Sequence, residues 1–538
     1  MKFKLKALKP RLHNIMFHTH TVSGIVISFA LFIIFYCGAF SLFLEEMHPW
    51  EDPAARISSS EIGLVDYNKA FEAFAEAYPN LDKDKAIRVY PSKKYHPQLH
   101  AGGFLLEKDG KSEYKRVEID PVTYEIAESK GAKVTMASTI YRLHFFSQIP
   151  YVGLYLSGLT AFFFLFAVIT GLLTHWKNLR NKFYAFTTSG KWKQIWTNGH
   201  LSLGFLTLPF QVIYAVTGAL LGLSLLLLAP SAFILFDGDT EKIISLIDPE
   251  RNLTYHEASD EINAVFNFND AYAETQKQYP EHDIFLMTSR NYGKEDGTIA
   301  VRLDDGKKIA GDGNLIFSQN TGEIVQQIKP SEKNYTQATY GILIKLHYAT
   351  FGGIFLKIIY FILAMITCYV IISGVMIWRT AREKDKKYTD KQKRFHHRVT
   401  KFYLAICLSL FPAVALIFLA NKLVPYEMTG RTFYVNTVFF VGWLVLTLIG
   451  LFWNNYRQLN RNYLIIGSVM GLCVPIANGL VTGDWFWKTI ASGQYAVFAV
   501  DVTWIMTGVF GLVTSLIYLR RNVKSPITEK AVRFKSKP

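Results

Sequence analysis

HTVSGIVISFALFIIFYCG, residues 20–38, is apolar but for Ser28 after its opening His20-Thr-Val-Ser, and HLSLGFLTLPFQVIYAVTG, residues 200–218, repeats its landmarks. His20, Gly24 and Gly38 stand at the same spacings as His200, Gly204 and Gly218. A helix rises about 1.5 Å per residue, so the 18 steps from His20 to Gly38 cover about 27 Å, close to the thickness of a hydrocarbon core. Each stretch therefore reads as a membrane span with a histidine at one end.

Six more apolar runs follow the same logic. The eight together lie at about 20–44, 149–175, 201–229, 352–378, 402–420, 433–453, 463–480 and 493–519. The seventh is the weakest, because Pro475 and Asn478 sit inside it. The first is too long for the h-region of a signal peptide and is read as a retained span. The chain of 538 residues is half hydrophobic, and its net charge is +15. That charge does not point to nucleic acid, because its placement follows the spans. Lys and Arg crowd 2–11, 177–193, 379–401 and the tail from Arg520, while the loops at 421–432 and 481–492 hold only Lys422, Arg431 and Lys488. This alternation fits the positive-inside rule with both termini cytoplasmic. Membrane lipid is the expected environment and nucleic acid is not an expected partner.

The expected organisation is 1–44, N-terminus and first span; 45–143, a first outer segment; 144–229, second span, loop and third span; 230–346, a second outer segment; 347–400, fourth span and basic loop; and 401–538, spans five to eight and a basic tail. Each outer segment opens on a helical stretch, 67–79 or 257–279, and continues with strand-like alternation, as at 86–90, 114–119, 284–288 and 298–303. Near their ends, Asp120-Pro-Val-Thr-Tyr-Glu-Ile126 parallels Ser318-Gln-Asn-Thr-Gly-Glu-Ile324. Leu143-His144 precedes Gly171 by the same interval at which Leu346-His347 precedes Gly374. The first 380 residues thus read as span, outer domain, span, twice over. The fold class expected is an all-α membrane bundle with an internal duplication, carrying two small periplasmic α+β domains. Both copies start inside, so the repeats are parallel, related by an axis along the membrane normal.

Of fourteen histidines, nine lie at or near span ends, where an ionisable group is a functional candidate. The repeat places His20 level with His200 on the inner side and His144 level with His347 on the outer side. Two facing imidazoles on different helices are what a b-type haem needs as axial ligands. Two such pairs predict two haems b, with His20, His200, His144 and His347 as iron ligands. The repeated glycines at 24, 38, 171, 204, 218 and 374 are read as room for a porphyrin, or simply as close helix packing. His18, His175 and His397 have no repeat-mate; each remains open as a replacement ligand for His20 or as the holder of another group. His396 lies with them at the inner side.

Other metal readings remain open too. His96 and His100, with Tyr95, are candidates on the outer side, and Glu45, Glu46, His48, Glu51 and Asp52 form an acidic mouth after the first span. Cys37, Cys368, Cys407 and Cys473 all fall in spans, and none belongs to a CxxC or CxxCH. No P-loop and no HExxH is present. No cytoplasmic loop exceeds about 25 residues, well short of a nucleotide-binding domain of about 100. Electrons must then come from a separate cytoplasmic reductase or from quinol.

These residues together resemble the PepSY-associated transmembrane family. The resemblance rests on His20-x3-Gly24 with Gly38, Leu143-His144 with Thr170-Gly171, His200-x3-Gly204 with Thr217-Gly218, and Leu346-His347 with Ser373-Gly374. It rests also on the two outer α+β segments, which have PepSY character. It covers about residues 10–380, with the spans from 402 to 519 as an extension. The resemblance implies a haem-bearing reductase of a bacterial inner membrane that releases iron from a ferric siderophore or other ferric chelate in the periplasm. Two other functions fit the same chain: a transporter or permease without redox chemistry, and a module whose outer domains capture a peptide or protease.

Overall fold

The computed structural model describes residues 9–53, 56, 64–91, 99–106, 112–127, 136–187, 190–246, 253–256, 259–262, 265–306, 308–330 and 332–520. The chain opens with the long apolar helix α1 (Pro10–Ser41), followed by the short α2 (Leu44–Glu51). The first polar segment holds α3 (Tyr67–Ala77) and strands β1 (Ile87–Tyr90), β2 (Leu99–Leu106), β3 (Ser112–Ile119) and β4 (Ile126–Ala127). Then come α4 (Met136–His144), α5 (Gly153–His175), the short α6 (Leu179–Phe183), α7 (Trp192–Leu206) and α8 (Leu208–Phe236). The second polar segment holds α9 (Thr240–Ser245), α10 (Phe268–Gln278), β5 (Asp283–Arg290), β6 (Thr298–Asp304), β7 (Gly313–Ser318) and β8 (Ile324–Ile328). It returns through α11 (Tyr335–Tyr348) to α12 (Gly353–Lys384). The remainder is α13 (Asp390–Leu408), α14 (Leu410–Leu423), α15 (Arg431–Phe452), α16 (Tyr456–Thr482), α17 (Phe486–Ala491) and α18 (Tyr495–Arg520).

Among the described residues, seven helical segments are long and apolar enough to cross a membrane: α1, α5, α12, α13 with α14, α15, α16 and α18. The pair α7 and α8, bent by 71°, meets the same length and composition together and counts as an eighth if taken as one span. The protein is thus a multi-pass membrane protein, and each expected apolar run falls on one of these segments. The run at 201–229 is not the single straight helix expected. Pro209 stands at the second position of α8, where its missing N–H ends the ladder of the helix before it. Thr207, fully buried at the break, accepts a hydrogen bond from Gln211 Nε2 at 2.7 Å. The run at 463–480 departs in the other direction. Pro475 lies inside a continuous α16, and Asn478 is buried with its amide bonded to Asp501 Oδ2 at 3.0 Å.

The polar segments, expected as two small domains, share one sheet. Its order is β4-β3-β2-β1-β5-β6-β7-β8, antiparallel throughout. The join is β1 to β5, with Arg88 opposite Thr288 and Val89 opposite Met287. Each half-sheet would otherwise leave an unpaired strand edge, and pairing the two satisfies both. Helices α3 and α10 cover the sheet, and Phe71, Phe74 and Phe268 share one core with Ile87, Val89, Met287, Val301 and Phe317. Each such buried side chain contributes about 1.5–3 kcal/mol by leaving water. The helices cap each other: Asn68 Oδ1 accepts from Phe268 N at 3.1 Å, and Asn269 Oδ1 accepts from Tyr67 N at 2.7 Å.

Among the described residues, the expected helix at 257–279 is helical only from Phe268. Asn267 and Asp270 form a capping box that starts it there, and Glu261 upstream is drawn into a bridge with Lys294. The paired turns match closely. Val122 N and Thr123 N bond Asp120 Oδ1, and Asn320 N and Thr321 N bond Ser318 Oγ. Tyr124 at φ 60° occupies the left-handed position that Gly322 fills at φ 73°.

Candidate functional site: two facing histidine pairs

The chain leaves the sheet for the bundle through α4 and α11, and each of these helices carries a histidine at or next to its last residue. Their rings come together: the centroids of His144 and His347 are 6.1 Å apart, with an interplanar angle of 50°. Toward the opposite end of α1, the His20 and His200 centroids are also 6.1 Å apart, at 70°. Residues 180 and 203 positions apart in the chain are thus brought into two like pairs.

One rule places three of the four rings. His20 donates from Nδ1 to Ala167 O at 2.8 Å and lies against Gly171. His200 Nδ1 donates to Val370 O at 2.9 Å and lies against Gly374. His144 Nδ1 donates to Ile34 O at 2.7 Å and lies against Gly38. In each case the acceptor is the carbonyl one turn before a glycine, and the missing side chain admits the ring. His347 departs from the rule: its Nδ1 donates to Thr217 Oγ1 at 2.8 Å, while that hydroxyl donates to Ile213 O. Tyr214 Oη holds the His347 carbonyl at 2.8 Å.

A carbonyl oxygen only accepts, so Nδ1 carries the proton and Nε2 keeps its lone pair. Backbone carbonyls that fix imidazoles in this way are the usual outer partners of metal-ligating histidines. A metal about 2 Å from each of two facing nitrogens would set ring centres about 6 Å apart. Among the described residues, no group of three or more His, Cys, Asp or Glu is arranged to hold a metal ion. A pair of imidazoles alone therefore suits a metal whose remaining ligands come with it, as iron does in a porphyrin. Beside the outer pair is a cavity of about 280 Å³, lined by Phe35, Gly38, Tyr141, Phe164, Tyr214 and Gly218 among others. A Cβ on Gly24, near the inner pair, would meet nothing within 4 Å. The outer pair and its cavity fit a haem, and the inner imidazoles are paired at the same separation.

The glycines need a correction. Gly38, Gly171 and Gly374 make room for histidine rings, and Gly218 packs on Ala161. Of the six, only Gly24 leaves the kind of open space expected for a porphyrin; a Cβ on Gly204 would touch Val370 Cγ1 at 3.8 Å.

The surplus histidines go elsewhere or lie at the margin. His18 is exposed. Two residues from His20 on a helix of 3.6 residues per turn, it points to the opposite side. His175, at the end of α5, lies within electrostatic reach of both His20 and His200. His397 joins neither pair: Tyr456 Oη lies 2.8 Å from its Nδ1, and Arg379 Nη2 3.4 Å. His396 packs edge-on against Trp378 and Tyr388.

The acidic mouth is used internally. Lys357 pairs with Glu46 at 2.8 Å and with Glu45 at 3.8 Å, and Glu51 accepts from the N–H groups of Met136 and Ala137. His96 and Tyr95 lie outside the described residues, while His100 Nε2 lies 3.6 Å from Glu118 Oε1. Burial pushes His48 down to about 4, opposed by the Glu118 and Glu45 carboxylates and reinforced by Arg116 and His100. Burial lowers His100 as well, with Glu118 acting against it.

Residue-type reasoning missed Tyr214 and the roles of the hydroxyls before the glycines. Ser373 Oγ is a second partner of His200 Nδ1 at 3.2 Å. The recurring hydroxyl-Gly dipeptide, Thr217-Gly218 and Ser373-Gly374, was the available signal.

No curated protein matches the chain. The model of the family described as PepSY-associated TM region matches residues 17–381, a stretch that contains both histidine pairs and the whole sheet, and the chain belongs to that family.

Proposed function

We propose that this protein is a haem-dependent oxidoreductase that passes electrons across a bacterial inner membrane. The donor is a cytoplasmic reductase or quinol, and the acceptor is a ferric siderophore or other ferric chelate, from which ferrous iron is released. The observation that carries this reading is the shared state of the four histidines: two facing pairs, each imidazole tied at Nδ1 and left with Nε2 for a metal.

His20 and His200 would hold one haem b, and His144 and His347 another. Haem bound there supplies one-electron chemistry. The chain orients the ligands through Ala167, Val370, Ile34 and Thr217, and surrounds the outer pair with aromatic side chains. The Tyr214 ring packs at a tilt 5.0 Å from His347, and Phe210 4.6 Å from Tyr214. Basic loops at 177–193 and 379–401 support cytoplasmic termini and a periplasmic sheet. The matched turns and like histidine pairs support two copies of one ancestral unit related by an axis along the membrane normal.

The test is an absorption spectrum of the detergent-purified protein, oxidised and then reduced with dithionite, with a pyridine haemochrome assay. The expected result is a b-type α-band and about two haems per chain. A colourless protein from haem-replete cells would sink the proposal. One observation favours a second reading in that case. The bent α7–α8 pair, with Thr207 and Gln211 buried at its break, is a feature of transporters.

A further inference from the structure

The family match ends at residue 381, and α13 to α18 lie beyond it. These helices meet the chain at α2 and α4, the elements that lead to His144. Glu51, the last residue of α2, is buried, and its carboxylate receives the N–H groups of the first two residues of α4, Met136 at 2.5 Å and Ala137 at 3.1 Å. A carboxylate at a helix N-terminus meets two unpaired donors and the positive end of the helix dipole. Eight residues after Met136, α4 ends on His144.

Glu51 is itself held by the extension. Asn421 Nδ2, from α14, donates to Glu51 Oε1 at 3.3 Å, and Tyr426 Oη donates to the Glu51 carbonyl at 3.2 Å. Next to it, Trp50 Nε1 donates to Asp501 Oδ1 of α18 at 2.7 Å, and Lys422 Nζ donates to the Trp50 carbonyl. A second tie reaches α4 directly: Thr139 Oγ1 donates to Asn436 Oδ1 of α15 at 2.9 Å. The other ligand helix has ties of its own. Helix α11 has its own capping box, Asn334 with Gln337, and Lys345 pairs with Asp304 of the sheet at 2.5 Å.

We infer that the four-span extension is a brace for the outer site, holding α4 through Glu51 and Asn436, and that Glu51 is a positioning residue for His144. The haem arm of its test rests on the function proposed above; the exchange arm does not.

The experiment uses the full chain in detergent. Amide hydrogen exchange is followed by mass spectrometry in the wild type, Glu51→Ala, Glu51→Gln, Asn436→Val and Tyr463→Phe. Tyr463 bonds Leu446 O within the extension and serves as a matched destabilised control. Glu51→Ala is expected to speed exchange over 136–144 by about tenfold or more and to leave 335–348 unchanged. Glu51→Gln, which keeps an acceptor, should recover part of the protection, and Asn436→Val should show a smaller effect of the same pattern. Haem is counted in the same samples. Glu51→Ala should lose the outer haem signal and keep the inner one, falling from about two haems toward one. Unchanged exchange over 136–144 in Glu51→Ala overturns the brace, and an equal effect from Tyr463→Phe overturns Glu51 as the positioning residue. A colourless wild type overturns the haem reading and leaves the exchange result to decide the brace.

Discussion

A Cβ built on Gly38 would stand 2.6 Å from Nδ1 of His144. The ring lies against bare backbone of α1 and bonds the Ile34 carbonyl one turn earlier, so an alanine cannot enter without moving the ring. The same contact is looser elsewhere: 3.0 Å from Gly171 to His20, and 3.2 Å from Gly374 to His200. Gly38→Ala is therefore expected to displace His144, with an overpacking cost of about 1–3 kcal/mol. Gly171→Ala should be milder and Gly374→Ala mildest. Haem content and the reduced spectrum of the three variants check the order. Gly38→Ala should lose the outer signal alone, and an equal loss in all three variants would show that the contacts do not set ring position.

Thr217 and Ser373 separate the two kinds of Nδ1 partner. His347 relies on the Thr217 hydroxyl, whereas His200 keeps the Val370 carbonyl when Ser373 is removed. Thr217→Val should weaken cofactor retention at the outer pair by about 10–100-fold, the range for loss of an outer-shell partner of a metal-ligating histidine. Ser373→Ala should have little effect at the inner pair. Haem retention during dilution, read at each α-band, checks both.

Much of this arrangement was legible in the chain. The repeat spacing of His20 with His200 and of His144 with His347 identified both pairs, because a periodic apolar span leaves few places for a histidine. The partners of those rings were not legible, because three of them are carbonyls, which every residue carries. Helical phase alone separates His18 from His20. The single sheet was hidden because β1 and β5 lie about 200 residues apart and strand edges carry no mark of their partner. Glu51 looked like part of a cation-binding mouth for a similar reason: its partners, Met136 and Ala137, meet it through backbone N–H groups 85 and 86 residues away.

The junction between α2 and the sheet predicts an acid-sensitive fold. His48 faces Glu118, Arg116, His100 and Glu45, and its folded value is about 4, against an ordinary value of about 6.5 in the unfolded chain. Between those values the unfolded chain binds more protons, so stability falls as pH drops from about 6.5 toward 4 and is undiminished above 6.5. His100, lowered as well, adds in the same direction. Thermal unfolding of the detergent-solubilised protein between pH 7.5 and 4.5 should show the decline. His48→Gln should flatten it in part, and a variant whose midpoint falls as steeply as the wild type would remove His48 as a cause.

Lys345 ties the helix of His347 to the sheet. Its ammonium is buried, pairs with Asp304 at 2.5 Å, and also donates to the carbonyls of Lys308 at 3.0 Å and Asp305 at 3.3 Å. Lys345→Met removes all three contacts and should cost about 1.5–3 kcal/mol, the range for hydrogen bonds to a charged group. Asp304→Asn should cost less, because the carbonyls still hold the ammonium. The double variant should be no less stable than Lys345→Met, since Asp304 then has no cation to lose. Denaturation midpoints of the four proteins give the coupling energy. A value near zero would mean that the carbonyls alone anchor Lys345, and that the sheet holds α11 through backbone rather than through charge.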